Sequence, residues 1–315
     1  MTTSDTATPA SRPPEPPESA TRPTGRRKAL WRESLELLAR NPVALASAVV
    51  LVVLVVLAVF GGAVAPYGPN TVHVADRLQG PGTSHLFGTD ELGRDVFSRV
   101  VLGASVSLQV GFVAVGIALL AGVVAGLVAG FYGRWVDDAV MRAMDVLFAF
   151  PAILMSIAVL AILGPGTTNA MVAIGIVYTP IFARITRASV LSVREEVYVR
   201  AARASGGSDL RVLALHVLPN VAPPIIVQTS VSLAFAILSE AALSFIGLGV
   251  QPPRPSWGRM LADGRGFLDQ AWWMALFPGL AIFLTVLSFN LLGDALRDVL
   301  DPRQRSAMRA TGVTA

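Results

Sequence analysis

The 315 residues contain no cysteine, and the side chains able to do chemistry reduce to Lys28, the only lysine, and three histidines, His73, His85 and His216. Thiol nucleophiles, disulfides and cysteine-ligated metals are thereby excluded. A phosphate-binding loop needs a lysine directly behind a glycine-rich turn. Lys28 follows Arg26 and Arg27 instead, so this chain does not bind ATP in that manner, and Gly164-Pro165-Gly166 reads as a turn. No two histidines have metal-ligand spacing, and His216 reads as a polar helix residue rather than a pH sensor. Two acids remain beside long apolar runs, Asp145 and Glu240. Ionisable groups at such depth are functional candidates. Hydrogen bonding between helices, lining of a solute path and proton relay are the three readings. The first is favoured, because each acid lies about two helical turns from a membrane edge rather than at mid-depth.

The elements that must carry these residues are membrane helices. Hydrophobic residues make up 53% and charged residues 15% of the chain, with a mean hydropathy of +0.61, a balance that belongs in a bilayer. Stretches without Asp, Glu, Lys or Arg mark the spans, since each such charge costs about 2.5–3.5 kcal/mol at mid-bilayer. They predict helices over 43–64, 105–131, 139–163, 170–187, 221–246 and 272–292. Asn41 and Pro42 open the first as cap and first helical residue. Gly111, Gly116, Gly122, Gly126 and Gly130 suit close helix approach in the second. The Gly164–Asn169 turn separates the third and fourth. Pro151 and Pro180 predict kinks that serve either gating or packing.

The expected fold is all-α, a polytopic bundle of six spans over residues 43–295. Six spans put both termini on one side. With the N-terminus inside, 19 of the 25 Lys and Arg fall in cytoplasmic segments and 6 outside, which favours cytoplasmic N- and C-termini in a multi-pass protein of the cell membrane. This dispersal also argues against nucleic-acid binding despite the net charge of +4. Residues 1–25, rich in proline, read as a disordered tail. Residues 26–42 read as a basic lead-in helix, lying on the membrane or in solvent, and 296–315 as a cytoplasmic tail.

The longest cytoplasmic loop is the most specific segment. Ser192-Val193-Arg194-Glu195 has the pattern of a capping box and predicts a helix start. Gly206-Gly207 should end that helix, and Ser208 with Asp209 should cap a second one ending at Leu218-Pro219. The coupling loop so defined covers 192–219, with Ala201 and Ala202 as a small-residue surface for a partner. On the opposite side, Gly88–Arg99 interleaves acids and bases. It reads either as a salt-bridged helix on the membrane surface or as a contact surface.

Arg200, Ala201, Ala202, Gly206, Leu218 and Pro219 resemble the signature loop of importer permeases of the ATP-binding-cassette superfamily, in which Glu-Ala-Ala is followed by three residues, Gly, nine residues, Ile, one residue and Leu-Pro. Arg200 stands where the family usually has Glu, and His216 where it has Ile. The segments His85–Arg99, with Gly88, Thr89, Asp90, Gly93, Arg94 and Asp95, and Glu240–Gly258 are similar to C-type permeases of dipeptide and oligopeptide importers. The resemblance implies a coupling helix seated on an ATPase subunit and alternating access. It implies a homologous second permease, two ATPase subunits holding ATP and magnesium, and an extracytoplasmic solute-binding protein as partners. It implies no cofactor or metal on this chain and no catalytic residue. A secondary transporter driven by an ion gradient is the alternative, but it would need internal repeats or mid-membrane acids. An intramembrane enzyme would need a nucleophile and base that the spans lack. Which solute is carried is left open.

Overall fold

The computed structural model describes residues 41–300 together with Leu38. The 1–25 tail, most of the 26–42 lead-in and everything past Leu300 lie outside the described residues. The helices are α1 (Pro42–Val64), α2 (Val96–Tyr132), α3 (Arg134–Phe148), α4 (Ala152–Leu163), α5 (Thr167–Val193), α6 (Val197–Ala204), α7 (Asp209–Val212), α8 (Leu218–Phe245), α9 (Trp257–Gly264) and α10 (Trp273–Leu300). The fold is all-α, and a single antiparallel bridge, Thr89 with Asp95, is the nearest approach to a strand among the described residues.

Five helical stretches are long and apolar enough to cross a membrane: α1, α2, α5, the continuous 209–245 stretch and α10. The expected single span over 139–163 is instead two helices, α3 and α4, bent by 92°. The break falls at Ala149-Phe150-Pro151, where proline has no N–H to continue the ladder and disfavours helical geometry in its predecessor. α4 alone reaches only about 18 Å, short of a roughly 30 Å hydrocarbon core, so a sixth crossing requires the bent pair as one unit. Pro180, Pro223, Pro224 and Pro278 are by contrast accommodated inside α5, α8 and α10. α2 begins at Val96, well before the expected 105, because Asp95 caps it by accepting from Ser98 N at 2.7 Å. α10 continues past 295 to Leu300.

α2 is packed along α5, and its glycines explain why. A Cβ at Gly122 would lie 2.5 Å from Phe182 Cβ, and one at Gly130 would lie 2.8 Å from Val190 Cβ. Gly126 is pressed as closely on Ala183 and Thr186, whereas Gly116 has open space beside it and takes no part. Small residues at these positions let the backbones meet and gain dispersion contacts without a side chain between them. α1 is different: Val49, Val52, Val59 and Phe60 are exposed, as a helix facing lipid should be. Asn41 caps it through Val43 N and Ala44 N at 3.0 and 3.2 Å.

Two contacts define the faces. Gly166 N donates to Leu248 O, 3.2 Å, placing the α4–α5 turn beside the loop after α8. Arg194 Nη1 donates to Gly130 O, 2.8 Å, placing the end of α5 beside the end of α2. Residues 65–95 and 246–272 thus form one face, here the cap face. The ends of α2 and α5 and the α6–α7 elbow form the other, the elbow face.

Candidate functional site

The elbow is built differently from its sequence pattern. Ser192 lies in the last turn of α5, so the proposed capping box starts no helix; α6 begins only at Val197, after Glu196. Ser192 is helical because α5's packing on α2 carries the helix through it, and tertiary packing outweighs a local cap. The turn at Gly206-Gly207 is as expected. Gly206 has φ +81° with open space around it, a left-handed conformation glycine adopts freely. Gly206 N donates to Arg203 O and Gly207 N to Ala202 O, 3.0 and 3.1 Å, closing the end of α6. Ser208 occupies the cap position of α7 but makes no side-chain hydrogen bond. Nor does a helix end at Leu218-Pro219: α7 runs through a π-helical turn, Leu213–Val217, directly into α8. Pro219 falls in the first turn of α8, directly after the π-helical turn.

The elbow has two sides. Val199, Val212 and Val217 are buried and belong to the main core, with Tyr198, Ala202 and Leu213 packed against it. Arg203 lies 3.9 Å above the Phe131 ring at the end of α2. Val197, Arg200, Ala201, Leu210 and Leu215 face outward, with Val197 72% and Leu210 78% exposed. The two alanines therefore separate: Ala201 is on the open surface and Ala202 on the packed one, a split that the sequence pattern did not reveal. Leu218 is exposed, and His216 is half-buried in the π turn, its carbonyl accepting from Asn220 Nδ2 at 2.7 Å.

Asp145 is exposed on amphipathic α3 and accepts from Arg184 Nη2 at 2.6 Å, with Arg184 stacked 4.3 Å over Phe148. One further ion pair, missed in the sequence, joins the same helices: Asp137 accepts from Arg187 Nε and Nη2 at 2.5 and 2.6 Å. These contacts latch α3 onto the elbow-side end of α5. Glu240, conversely, is 1% exposed and accepts from Ser244 Oγ at 2.7 Å. Neither acid lines the cavity of about 610 Å³ among Asn220, Pro223, Gln228 and Arg297, or the one of about 630 Å³ beside Tyr67, Gln109 and Arg254.

On the cap face, residues 88–95 form a folded loop that leads into the first turn of α2, and the reading of Gly88–Arg99 as a separate surface helix fails. Gly88 and Gly93 have φ of +73° and +76°. A Cβ at Gly88 would lie 2.6 Å from Gln79 O and Trp273 Nε1, so the loop closes on α10 only through a glycine. Thr89 is fully buried, its carbonyl accepting from Trp273 Nε1 at 3.0 Å. Asp90 accepts from Leu92 N, Arg94 N and Arg94 Nε at 2.9, 2.9 and 2.6 Å. Arg94 also pairs with Glu91 at 3.0 Å, Arg99 lies between Asp90 and Asp263, and Arg259 pairs with Asp263 at 2.9 Å. Burial, followed by the nearby Asp90 charge, pushes the Glu91 carboxyl above the usual carboxylate range. Asp95, besides capping α2, bonds His85 Nδ1 at 2.9 Å. His73 and His85 do come together, with ring centroids 6.4 Å apart, but no group of metal-ligating residues is formed among the described residues.

The described residues thus form a polytopic helical bundle with a small elbow between two spans. Solved structures agree on the fold: an inward-facing MetNI methionine ABC transporter superposes with a TM-score of 0.51 at 19% identity, over 64% of this chain and 96% of that one. An amino acid ABC transporter solved with histidines gives 0.50 at 17% identity, over 64% and 94%. The family of binding-protein-dependent transport system inner membrane components matches residues 122–306, and the N-terminal TM domain of oligopeptide transport permease C matches 29–81. The dipeptide transport system permease protein DppC of Alkalihalophilus pseudofirmus is 46% identical over 96% of this chain and 97% of its own length. The glutathione transport system permease protein GsiD of Pectobacterium atrosepticum is 44% identical over 88% and 92%. The chain belongs to the binding-protein-dependent transport system inner membrane components and is a permease subunit of an ABC importer, a translocation component rather than an enzyme. The ion-coupled alternative has no support.

Proposed function

We propose that this permease carries dipeptides or short oligopeptides into the cytoplasm, with its elbow face cytoplasmic and its cap face outside. The observation that carries the proposal is the two-sided elbow: one side is welded to the core through Val199, Val212 and Val217, while the other presents Val197, Arg200, Ala201 and Leu210 to a partner. An ATPase subunit seated on that open side can move the bundle as a rigid body, because the buried valines transmit displacement to α2, α5 and α8. The nineteen-to-six division of basic residues supports the orientation. The peptide reading follows the named dipeptide and glutathione relatives, both of whose solutes are peptidic.

The full assembly in this reading contains a homologous second permease, two ATPases that hold ATP and magnesium, and an extracytoplasmic binding protein, all within the lipid bilayer. The permease itself contributes the path and the coupling surface. ATP drives transport only if the ATPases contact the elbow differently in their two states. Co-expression with the neighbouring transporter genes, reconstitution in proteoliposomes and uptake of labelled dipeptide tests this. ATP-dependent uptake that requires the binding protein is expected. Uptake driven by an ion gradient without ATPases would overturn it.

A further inference from the structure

The cavity of about 610 Å³ on the elbow side lies between α5, α8 and α10, with Ile185, Val227 and Leu300 in its apolar wall. Its size is that of a small-molecule site. Asp294 and Arg297, one turn apart on α10, both line it and both are exposed. An acid and a base three residues apart on a helix can pair, yet these two form no ion pair among the described residues, with each other or with a third group. Opposite charges thus stand in one cavity, each open to a ligand. The α8 wall adds backbone acceptors. Pro223 and Pro224 lie inside α8 and line the cavity, and neither has an N–H. The carbonyls four residues earlier, those of Pro219 and Asn220, are therefore without their usual helical donors. In a membrane helix such carbonyls are met by side chains, water or, where they border a cavity, a ligand. Asn220 borders this one, and Gln228 adds an amide.

A cation, an anion, carbonyl acceptors and apolar wall together complement a short peptide with free ends. An extended dipeptide separates its ammonium and carboxylate by about 7 Å. α10 sets Asp294 and Arg297 about 4.5 Å apart along its axis, and the long arginine side chain supplies the remaining reach. We propose that this cavity is a solute site on the elbow side of the path that reads the two free ends of a dipeptide. Arg297 receives the carboxylate in a bidentate hydrogen bond, and Asp294 with the α8 carbonyls receives the ammonium. Only the ends are held by charge, so the peptide's own side chains meet apolar wall and are weakly discriminated. The inference rests on the peptide reading and the orientation proposed above. A zwitterionic lipid headgroup carries the same pair of charges and is the source that the test separates from a peptide.

The chain has no cysteine, so Val227→Cys gives it a single thiol, in the wall of this cavity. Labelling by a small maleimide is followed on this chain by mass, in the purified nucleotide-free complex of permeases and ATPases. The binding protein is left out, because its own selectivity would otherwise enter. L-Alanyl-L-alanine is expected to protect the thiol, and its N-acetyl and C-amide derivatives to need about tenfold more or beyond, each having lost a charge-assisted contact. Arg297→Gln should erase the penalty for C-amidation alone, and Asp294→Asn the penalty for N-acetylation alone. A merely structural role would not produce such pairwise coupling. If one variant fails to assemble, the other still decides. Equal protection by all three compounds in the parent, unchanged penalties in the variants, or protection by glycerophosphoethanolamine at the dipeptide's concentration would overturn the proposal. Lack of protection in a complex that takes up dipeptide with ATP would overturn the site and leave the peptide reading standing. Absence of that uptake would remove the peptide reading and the site with it.

Discussion

The two faces of the bundle handle charge in opposite ways. On the cap face Asp90, Glu91, Arg94, Arg99, Arg259 and Asp263 close on one another in a largely buried network, so their shape is set internally. On the elbow, Arg200, Asp209 and Arg211 are exposed and form no ion pair among the described residues. A network that satisfies itself specifies a fixed layer, and charges left open are available to a partner. Glycine follows the same division. Gly88 and Gly93 combine positive φ with neighbours that leave no room for a Cβ, whereas Gly206 takes positive φ in open space, where only the direction of the chain is at stake.

The largest expected effect would break the fixed side. Asp90→Ala leaves Arg94 and Arg99 without their shared acid, and breaking buried pairs costs about 3–5 kcal/mol. The purified complex should unfold at a clearly lower temperature, and an unchanged melting curve would show that the network is not a structural layer. Next comes the open side. Gly206→Val forces a β-branched residue into left-handed backbone, a strain of about 1–3 kcal/mol, so the elbow should shift and solute-stimulated ATP hydrolysis should fall several-fold while inserted protein stays nearly constant. Wild-type stimulation in this variant would remove the coupling role from the elbow.

A pair of substitutions sharpens the contrast within the elbow itself. Ala202→Trp overpacks the core side and should cost about 1–3 kcal/mol, seen as faster proteolysis of the isolated permease. Ala201→Trp should leave proteolysis unchanged and reduce co-purification of the ATPases. Equal behaviour of the two would contradict the two-sided geometry. A smaller effect attaches to pH. Because the folded Glu91 carboxyl is raised, the native state binds more protons than the unfolded one between the ordinary value near 4.3 and the folded value. Stability therefore falls as pH rises through that interval, and Glu91→Gln should flatten this slope in a thermal-unfolding series. The smallest change is Arg200→Glu, expected to alter transport less than about threefold, since exposed pairs contribute only about 0–1 kcal/mol.

Much of the molecule was legible in the residues alone. The apolar runs located α1 and α8 and the starts of α5 and α10 within about three residues, since a membrane span must be long and uncharged wherever it packs, but α5 and α10 run on to Val193 and Leu300, well past the expected 187 and 292. Asn41-Pro42 at the start of α1 and the turn at Gly206-Gly207 were legible for a similar reason: caps and left-handed turns are set by the residues that form them. The same local reasoning failed at Ser192, where the helix of α5 runs on through a capping pattern, and at Leu218-Pro219, where α7 continues into α8. In both places long-range packing outweighs about 1 kcal/mol of capping preference.

What the sequence by itself determined is the class of protein: a bilayer bundle without thiol chemistry or a phosphate-binding loop, with one charged elbow between spans. Those properties depend on composition and on short-range patterns. Tertiary structure alone decided the fate of individual polar residues. Asp145 and Glu240 look alike beside their apolar runs, yet one is an exposed partner of Arg184 and the other is enclosed among serines from three elements. Likewise Ala201 and Ala202, adjacent in sequence, face opposite ways. The physical reason is common to both pairs: burial and hydrogen-bond partners are supplied by segments distant in the chain, and a residue's own neighbours carry no record of which segments those will be.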